Sequence, residues 1–208
     1  MKKSAVIWDL DGTIIDSFYA IVGGIYNAAK ENNIEYTKEY IYDYAKEYSS
    51  ISMLEKIAAE AGVTLESVKK TFDYHFHGED DKIELIGGAK EILEFVRDNS
   101  MINLSYTHRN DTSYDILKRN GIEDYFTEII TSERGFKRKP NSDAVKYLID
   151  KYDLDINNTF FVGDRKSDAA CGNGAGIRSI LLGEYEGCYS DYTIKELIEV
   201  KKIIVRKF

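Results

Sequence analysis

The stretch Ala5-Val6-Ile7-Trp8-Asp9-Leu10-Asp11-Gly12-Thr13-Ile14-Ile15-Asp16 decides how the rest of the 208-residue chain is read. An apolar run over 5–8 stops at two aspartates one residue apart, with a glycine and a threonine behind them. An unbroken apolar run of this length reads as a strand buried on both faces, the mark of a parallel sheet covered by helices. Side chains alternate along a strand, so Asp9 and Asp11 share one side if the extension persists past Trp8. Open α/β sheets hold ligands at the carboxyl ends of their strands, which is where this pair falls. Asp11-Gly12 is also an ordinary turn signal between two apolar runs. The stretch alone leaves both readings open, and residues downstream must separate them.

Composition narrows the classes of function. A hydrophobic share of 43% and a charged share of 31% suit a soluble globular protein. The net charge of −8 disfavours polyanions, and no basic stripe suited to nucleic acid is present. An acidic chain acting on an anion needs local compensation from a metal or a few well-placed cations. The two cysteines, Cys171 and Cys188, lack CxxC pairing and neighbouring histidines, so they read as free buried thiols. The basic start Met1-Lys2-Lys3 is followed by too short an apolar run for a signal peptide, and no stretch has the length of a membrane span. The expectation is a cytoplasmic protein with no nucleic-acid or membrane partner, a monomer or weak homodimer.

Past Asp16 the periodicity turns helical. Ser17 is a suitable N-cap, and Phe18, Ile21, Val22, Ile25 and Ala29 form an apolar stripe. Several helices and no strand are predicted up to about residue 81, so 17–86 reads as an inserted all-helical domain. It holds Tyr19, Tyr26, Tyr36, Tyr40, Tyr42, Tyr44, Tyr48 and Tyr74 and no arginine. The tyrosines read as amphipathic packing residues, and His75 and His77 as surface histidines rather than ligands. Gly87-Gly88 then opens a regular strand–helix alternation over 87–208, with strands predicted at 101–106, 128–131, 159–162 and 179–182. Pro140 is predicted to open a helix at its first turn, and the tail to carry a helix at 192–200 and a strand at 203–205. The fold class is α/β, a three-layer parallel-sheet core from 1–16 and 87–208 with the helical domain inserted.

Polar residues follow the strands or open a helix at Asp9/Asp11, Thr107, Lys139 and Asp164/Asp168. In a doubly wound sheet these positions meet in one crevice. Carboxylates crowded together repel one another unless a divalent cation neutralises them, and hard oxygen ligands of this kind suit Mg²⁺ with its waters and a substrate phosphate.

With these residues in view the sequence resembles the haloacid dehalogenase superfamily of phosphotransferases, in its phosphoglycolate phosphatase and β-phosphoglucomutase branch. Asp9-Leu10-Asp11-Gly12-Thr13 matches its first motif, Thr107 the second, Lys139-Pro140 the third and Gly163-Asp164 through Asp168 the fourth. The resemblance covers essentially the whole chain and implies a Rossmann-like core, a helical cap over 17–86 and hinges near 14–19 and 84–88. It implies that Asp9 is the nucleophile and forms an aspartyl-phosphate, and that Asp11 is general acid and then general base. It further implies that Thr107 and Lys139 bind the phosphoryl group, that Lys139 orients Asp9, and that Asp9, the Asp11 backbone carbonyl, Asp164 and Asp168 surround Mg²⁺. Asp11 argues against carbon–halogen substrates, whose enzymes lack it. The implied activity is hydrolysis of a small phosphorylated metabolite. The alternatives are a β-phosphoglucomutase-like mutase and a catalytically silent binding or regulatory protein. Thr107 is followed by His108-Arg109-Asn110 where this branch commonly has a small or amide residue. We read His108 or Arg109 as contacting the leaving group, against a solvent-exposed arginine near the next helix.

Overall fold

The computed structural model describes residues 2–183 and 187–205. The chain divides into two compact units, Met1–Asp16 with Glu84–Phe208, and Ser17–Ile83. In chain order the strands are β1 (Lys3–Trp8), β2 (Ile15–Asp16), β3 (Glu84–Leu85), β4 (Ile102–Tyr106), β5 (Phe126–Ile130), β6 (Leu154–Gly163), β7 (Arg178–Leu182) and β8 (Tyr192–Ile194). The helices are α1 (Phe18–Glu31), α2 (Lys38–Glu47), α3 (Ser50–Ala61), α4 (Leu65–His77), α5 (Ala89–Asp98), α6 (Thr112–Arg119), α7 (Asp143–Tyr152), α8 (Lys166–Gly174) and α9 (Val200–Ile204). Among the described residues none is long and apolar enough to cross a membrane.

The first unit is built on a parallel sheet in the order β5-β4-β1-β6-β7-β8. β1 is interior because both faces are apolar: Ala5, Val6, Ile7 and Trp8 are wholly buried. Ala5 and Ile7 pack with Leu104, Phe161, Ala144, Val145 and Leu148, which places α7 on one face. On the other face the Trp8 indole N–H donates to Asn103 Oδ1 at 2.9 Å, and Asn103 Nδ2 donates to the Leu93 carbonyl of α5 at 2.9 Å. Three layers result, as expected for a parallel sheet. β2 and β3 form a separate antiparallel ribbon, with Ile15 opposite Leu85 and Asp16 opposite Glu84. The sequence reading missed these strands, since two residues carry no periodicity.

Two expectations are corrected here. Pro140 does not open α7. It follows a cis peptide in the turn ahead of the helix, which starts at Asp143 behind Ser142. The tail reverses the predicted order. Tyr192, Thr193 and Ile194 add a parallel edge strand beside β7, while Val200 and Ile204, spaced i,i+4, bury one face of α9. The β-branched pair at 203–204 suggested a strand, but the four-residue spacing of the buried pair prevailed.

The second unit contains α1 to α4 around a core that includes Ile25, Ile41, Met53, Ile57, Val68 and Phe72. Side chains of Thr37, Ser49 and Thr64 cap α2, α3 and α4 by accepting from the N–H three residues on. Tyr26, Tyr36 and Tyr44 pack partly against this core. Tyr19, Tyr40, Tyr42, Tyr48 and Tyr74 stand exposed, so amphipathic packing accounts for only part of the tyrosine content. His75 pairs with Glu31 at 2.7 Å and His77 with Asp80 at 3.0 Å. Both cysteines are free; Cys171 is buried and Cys188 only half-buried.

Candidate active site

The end of β1 sets the site. The Asp9 N–H donates to the Val162 carbonyl of β6 at 2.9 Å, which extends the strand by one residue. The chain then folds on itself, with the Leu10 carbonyl accepting from the N–H groups of Thr13, Ile14 and Ile15 at 3.1, 2.9 and 3.0 Å. Strand alternation stops there, and the Asp9 and Asp11 carboxylates go to different partners. The turn reading and the site reading therefore both describe this stretch. Gly12 takes φ +83°, and a Cβ there would sit 2.6 Å from Asp164 Oδ2. Gly163 is equally constrained, because a Cβ would overlap the Asp168 side chain.

Carboxylate oxygens of Asp9, Asp164 and Asp168 lie within 4.8 Å of one another, and all three residues are buried. Lys139 Nζ stands 2.5 Å from Asp9 Oδ1 and 2.7 Å from Asp168 Oδ1, and donates to the Tyr106 carbonyl at 3.3 Å. The Tyr106 and Phe161 rings flank the ammonium at 5.4 and 5.5 Å. Thr13 Oγ1 donates to Asp164 Oδ1 at 3.3 Å, and the Arg165 N–H to Asp168 Oδ2 at 3.0 Å. Burial pushes the Asp9 carboxyl well above the usual range. Asp168 and Asp164 add to that rise, and Lys139 opposes it. Burial and then Asp168 push Asp164 up to about 6. For Lys139, burial acts downward but Asp168 and Asp9 outweigh it, holding the ammonium above the ordinary lysine range. Three buried carboxylates against this ammonium, with oxygen donors only, are a donor set that fits a hard divalent cation.

Asp11 is not among the three. Arg109 Nε and Nη2 donate to Asp11 Oδ1 at 3.0 and 2.8 Å, and the arginine side chain is fully withdrawn from solvent. Arg109 is thus buried rather than exposed, and it grips Asp11. The half-buried His108 ring also turns inward, its Nε2 accepting from the Lys139 N–H at 2.8 Å. Thr107 is buried at the end of β4, with its N–H donating to the Ile130 carbonyl and its Oγ1 accepting from the Arg109 N–H. The sequence reading did not foresee the Asp11–Arg109 pair, the part of Thr13, or the close packing of Gly12 and Gly163. The one usable signal was Thr107-His108-Arg109, a polar run directly after the strand predicted at 101–106.

The family profile described as haloacid dehalogenase-like hydrolase matches residues 6–182. The chain is 22% identical to the pyrophosphatase PpaX of Oceanobacillus iheyensis, with 100% of both chains covered. It is 24% identical to the phosphoglycolate phosphatase of Aliivibrio fischeri over 85% of this chain and 82% of the relative. Its fold matches the crystal structure of a predicted phosphoglycolate phosphatase from Haemophilus somnus with a TM-score of 0.83, at 19% identity and 98% coverage of each chain.

Proposed function

The chain belongs to the haloacid dehalogenase-like hydrolase family, and from that premise we propose that it is a Mg²⁺-dependent phosphatase of a small phosphorylated metabolite. The observation that carries this reading is the buried Asp9 carboxylate pinned by Lys139 beside Asp164 and Asp168. Burial acts to protonate this carboxyl, and the ammonium opposes that rise and aims one of its oxygens.

In this reading an Asp9 oxygen attacks phosphorus, a new P–O bond forms to Asp9, and the bond to the leaving oxygen breaks. Asp11 gives that oxygen its proton. Water then attacks the phosphorus and passes a proton to Asp11, and the bond to Asp9 breaks to release phosphate. Thr107 donates to a phosphoryl oxygen, and Lys139 balances its charge. Asp9, Asp164 and the Asp11 backbone carbonyl would hold Mg²⁺, with Asp168 reaching it through water. A bound Mg²⁺ would offset the charge of the phosphoryl group among these carboxylates. Positioning and electrostatics supply most of the acceleration.

Ser17–Ile83 would be the cap that selects the substrate. Its connections to the other unit leave and return through the paired β2 and β3, which suits a hinge. The relatives' names span an anhydride and an alkyl ester. The absence of arginine from 17–86 favours a leaving group without a second phosphate, hence a phosphoglycolate-sized ester over the sugar bisphosphate of a mutase. A cytoplasmic location and a monomeric or weakly dimeric state accompany this reading.

The test is phosphate release from p-nitrophenyl phosphate with and without Mg²⁺, in the native protein and in Asp9→Asn. Release that needs Mg²⁺ and falls on the order of 10³-fold or more in the variant is expected. Equal activity in both proteins would remove Asp9 as nucleophile. A panel including phosphoglycolate, pyrophosphate and a hexose phosphate, with a search for isomerised sugar, sorts the substrate classes.

A further inference from the structure

Arg109 is a buried cation whose partner comes from 98 residues away. β1 and β4 are neighbours with Trp8 opposite Ser105, so the chain segments leaving them run side by side. Arg109 is fixed at both ends of its backbone. Its N–H donates to Thr107 Oγ1 at 3.1 Å, and its carbonyl accepts from the Ser132 N–H at 2.9 Å. The guanidinium approaches Asp11 Oδ1 through two of its nitrogens, while the Asp11 side chain keeps 19% of its surface exposed. One carboxylate is thus gripped by a buried guanidinium while part of its surface still reaches solvent. Guanidinium geometry sets orientation as well as charge, which an ammonium does not.

We propose that Arg109 is a positioning residue that fixes the Asp11 carboxylate for proton transfer to and from the leaving oxygen. The inference rests on the acid–base role proposed for Asp11. It replaces a direct grip on the substrate, because the guanidinium is withdrawn from solvent and occupied with Asp11. A positioning role affects the chemical step and spares binding. It also affects poor leaving groups more than good ones, since only the poor ones depend on a well-placed proton.

The experiment measures kcat and KM of Arg109→Gln and Arg109→Lys with p-nitrophenyl phosphate and with phenyl phosphate, its analogue with the poorer leaving group. It repeats Arg109→Gln in an Asp11→Asn background. For Arg109→Gln, kcat on phenyl phosphate should fall about 100-fold and on p-nitrophenyl phosphate about tenfold or less, with KM within about twofold. Arg109→Lys should recover part of the loss, and Arg109→Gln should cost nothing further once Asp11 is Asn. A raised KM, equal losses on both substrates, or additive losses in the double variant would overturn the proposal. If Arg109→Gln fails to fold, Arg109→Lys carries the same comparison, since it keeps the charge and loses the fork. Asp11→Asn separates the two levels. Full activity in that variant defeats the acid–base reading itself, whereas a loss there with native kinetics in both Arg109 variants defeats only the positioning.

Discussion

His108 illustrates how one side chain can tie stability to pH. Burial first, then the charges of Lys139, Arg138 and Arg165, push its imidazole down to about 2 from an ordinary 6.5. The folded protein therefore keeps the ring neutral, with Nε2 accepting from the Lys139 N–H and the proton assigned to Nδ1. Below pH 6.5 the unfolded chain binds a proton that the folded chain refuses, so stability falls with acid. The slope approaches about 1.4 kcal/mol per pH unit until the pH nears the folded value. Urea unfolding at pH 7.5, 6 and 5 should show this, and His108→Gln should remove that share of the slope. An unchanged slope in His108→Gln would refute the assignment. Lys139 makes a second case. In Lys139→Met the buried carboxylates lose their internal cation, so turnover should drop at least about 100-fold while Mg²⁺ binding is not weakened. Binding can be followed through Trp8, the only tryptophan, adjacent to Asp9 in sequence. Weakened Mg²⁺ binding would show that Lys139 serves the cation site instead. Asp9 and Asp164 were legible as strand-end positions and Asp168 as a residue of the helix start behind β6. Lys139 was singled out by a helix start at Pro140 that the structure does not have, and it comes instead from the turn ahead of α7. The Asp11–Arg109 pair was not legible, because loop trajectories beyond the strand ends set it and no periodicity encodes them.

At the scale of elements, the sheet does the positioning and the turns do the aiming. The strands were readable because residues buried on both faces leave unbroken apolar runs, as in Ala5 to Trp8 and Phe160 to Val162. Turn geometry was less readable. Pro140 signalled a helix start by its fixed φ, yet α7 begins at Asp143, and Lys139 reaches the site from the preceding turn. The β2–β3 ribbon and the tail failed for the related reason that short elements are decided by tertiary neighbours. Gly12 is where a turn and the site depend on one atom. Gly12→Ala forces an alanine to φ +83° and sets its Cβ 2.6 Å from Asp164 Oδ2. The backbone conformation alone costs on the order of 1–3 kcal/mol. Asp164 must also shift, so the apparent Mg²⁺ requirement should rise at least about tenfold, a response read by titrating activity against Mg²⁺. A variant with native Mg²⁺ dependence would show that Asp164 tolerates displacement and is not held in place by this contact.

At the scale of the molecule, the two units have separate cores, and the crowded carboxylates all lie in one of them. A cation that binds there stabilises only states in which β1, β6 and the turn behind each are folded. At a concentration 100 times its dissociation constant it adds about 2.7 kcal/mol. For a protein of this length each kcal/mol moves Tm by about 2–4 °C, so saturating Mg²⁺ should raise the melting of that unit by several degrees. The helices α1 to α4 share no carboxylate with the cluster, so their opening should respond only as far as it is coupled to the other unit. Hydrogen exchange with and without Mg²⁺ separates these contributions. Added protection should concentrate in β1, β6 and the segments holding Asp9 and Asp164, and α2 and α3 should change least. Asp164→Asn should abolish the added protection and the rise in Tm together, because it removes a carboxylate from the cluster. If the native protein gained protection uniformly through α1 to α4, cation binding would be acting on the folding of the whole chain. If Asp164→Asn kept the full thermal shift, the cation would be binding outside Asp9, Asp164 and Asp168.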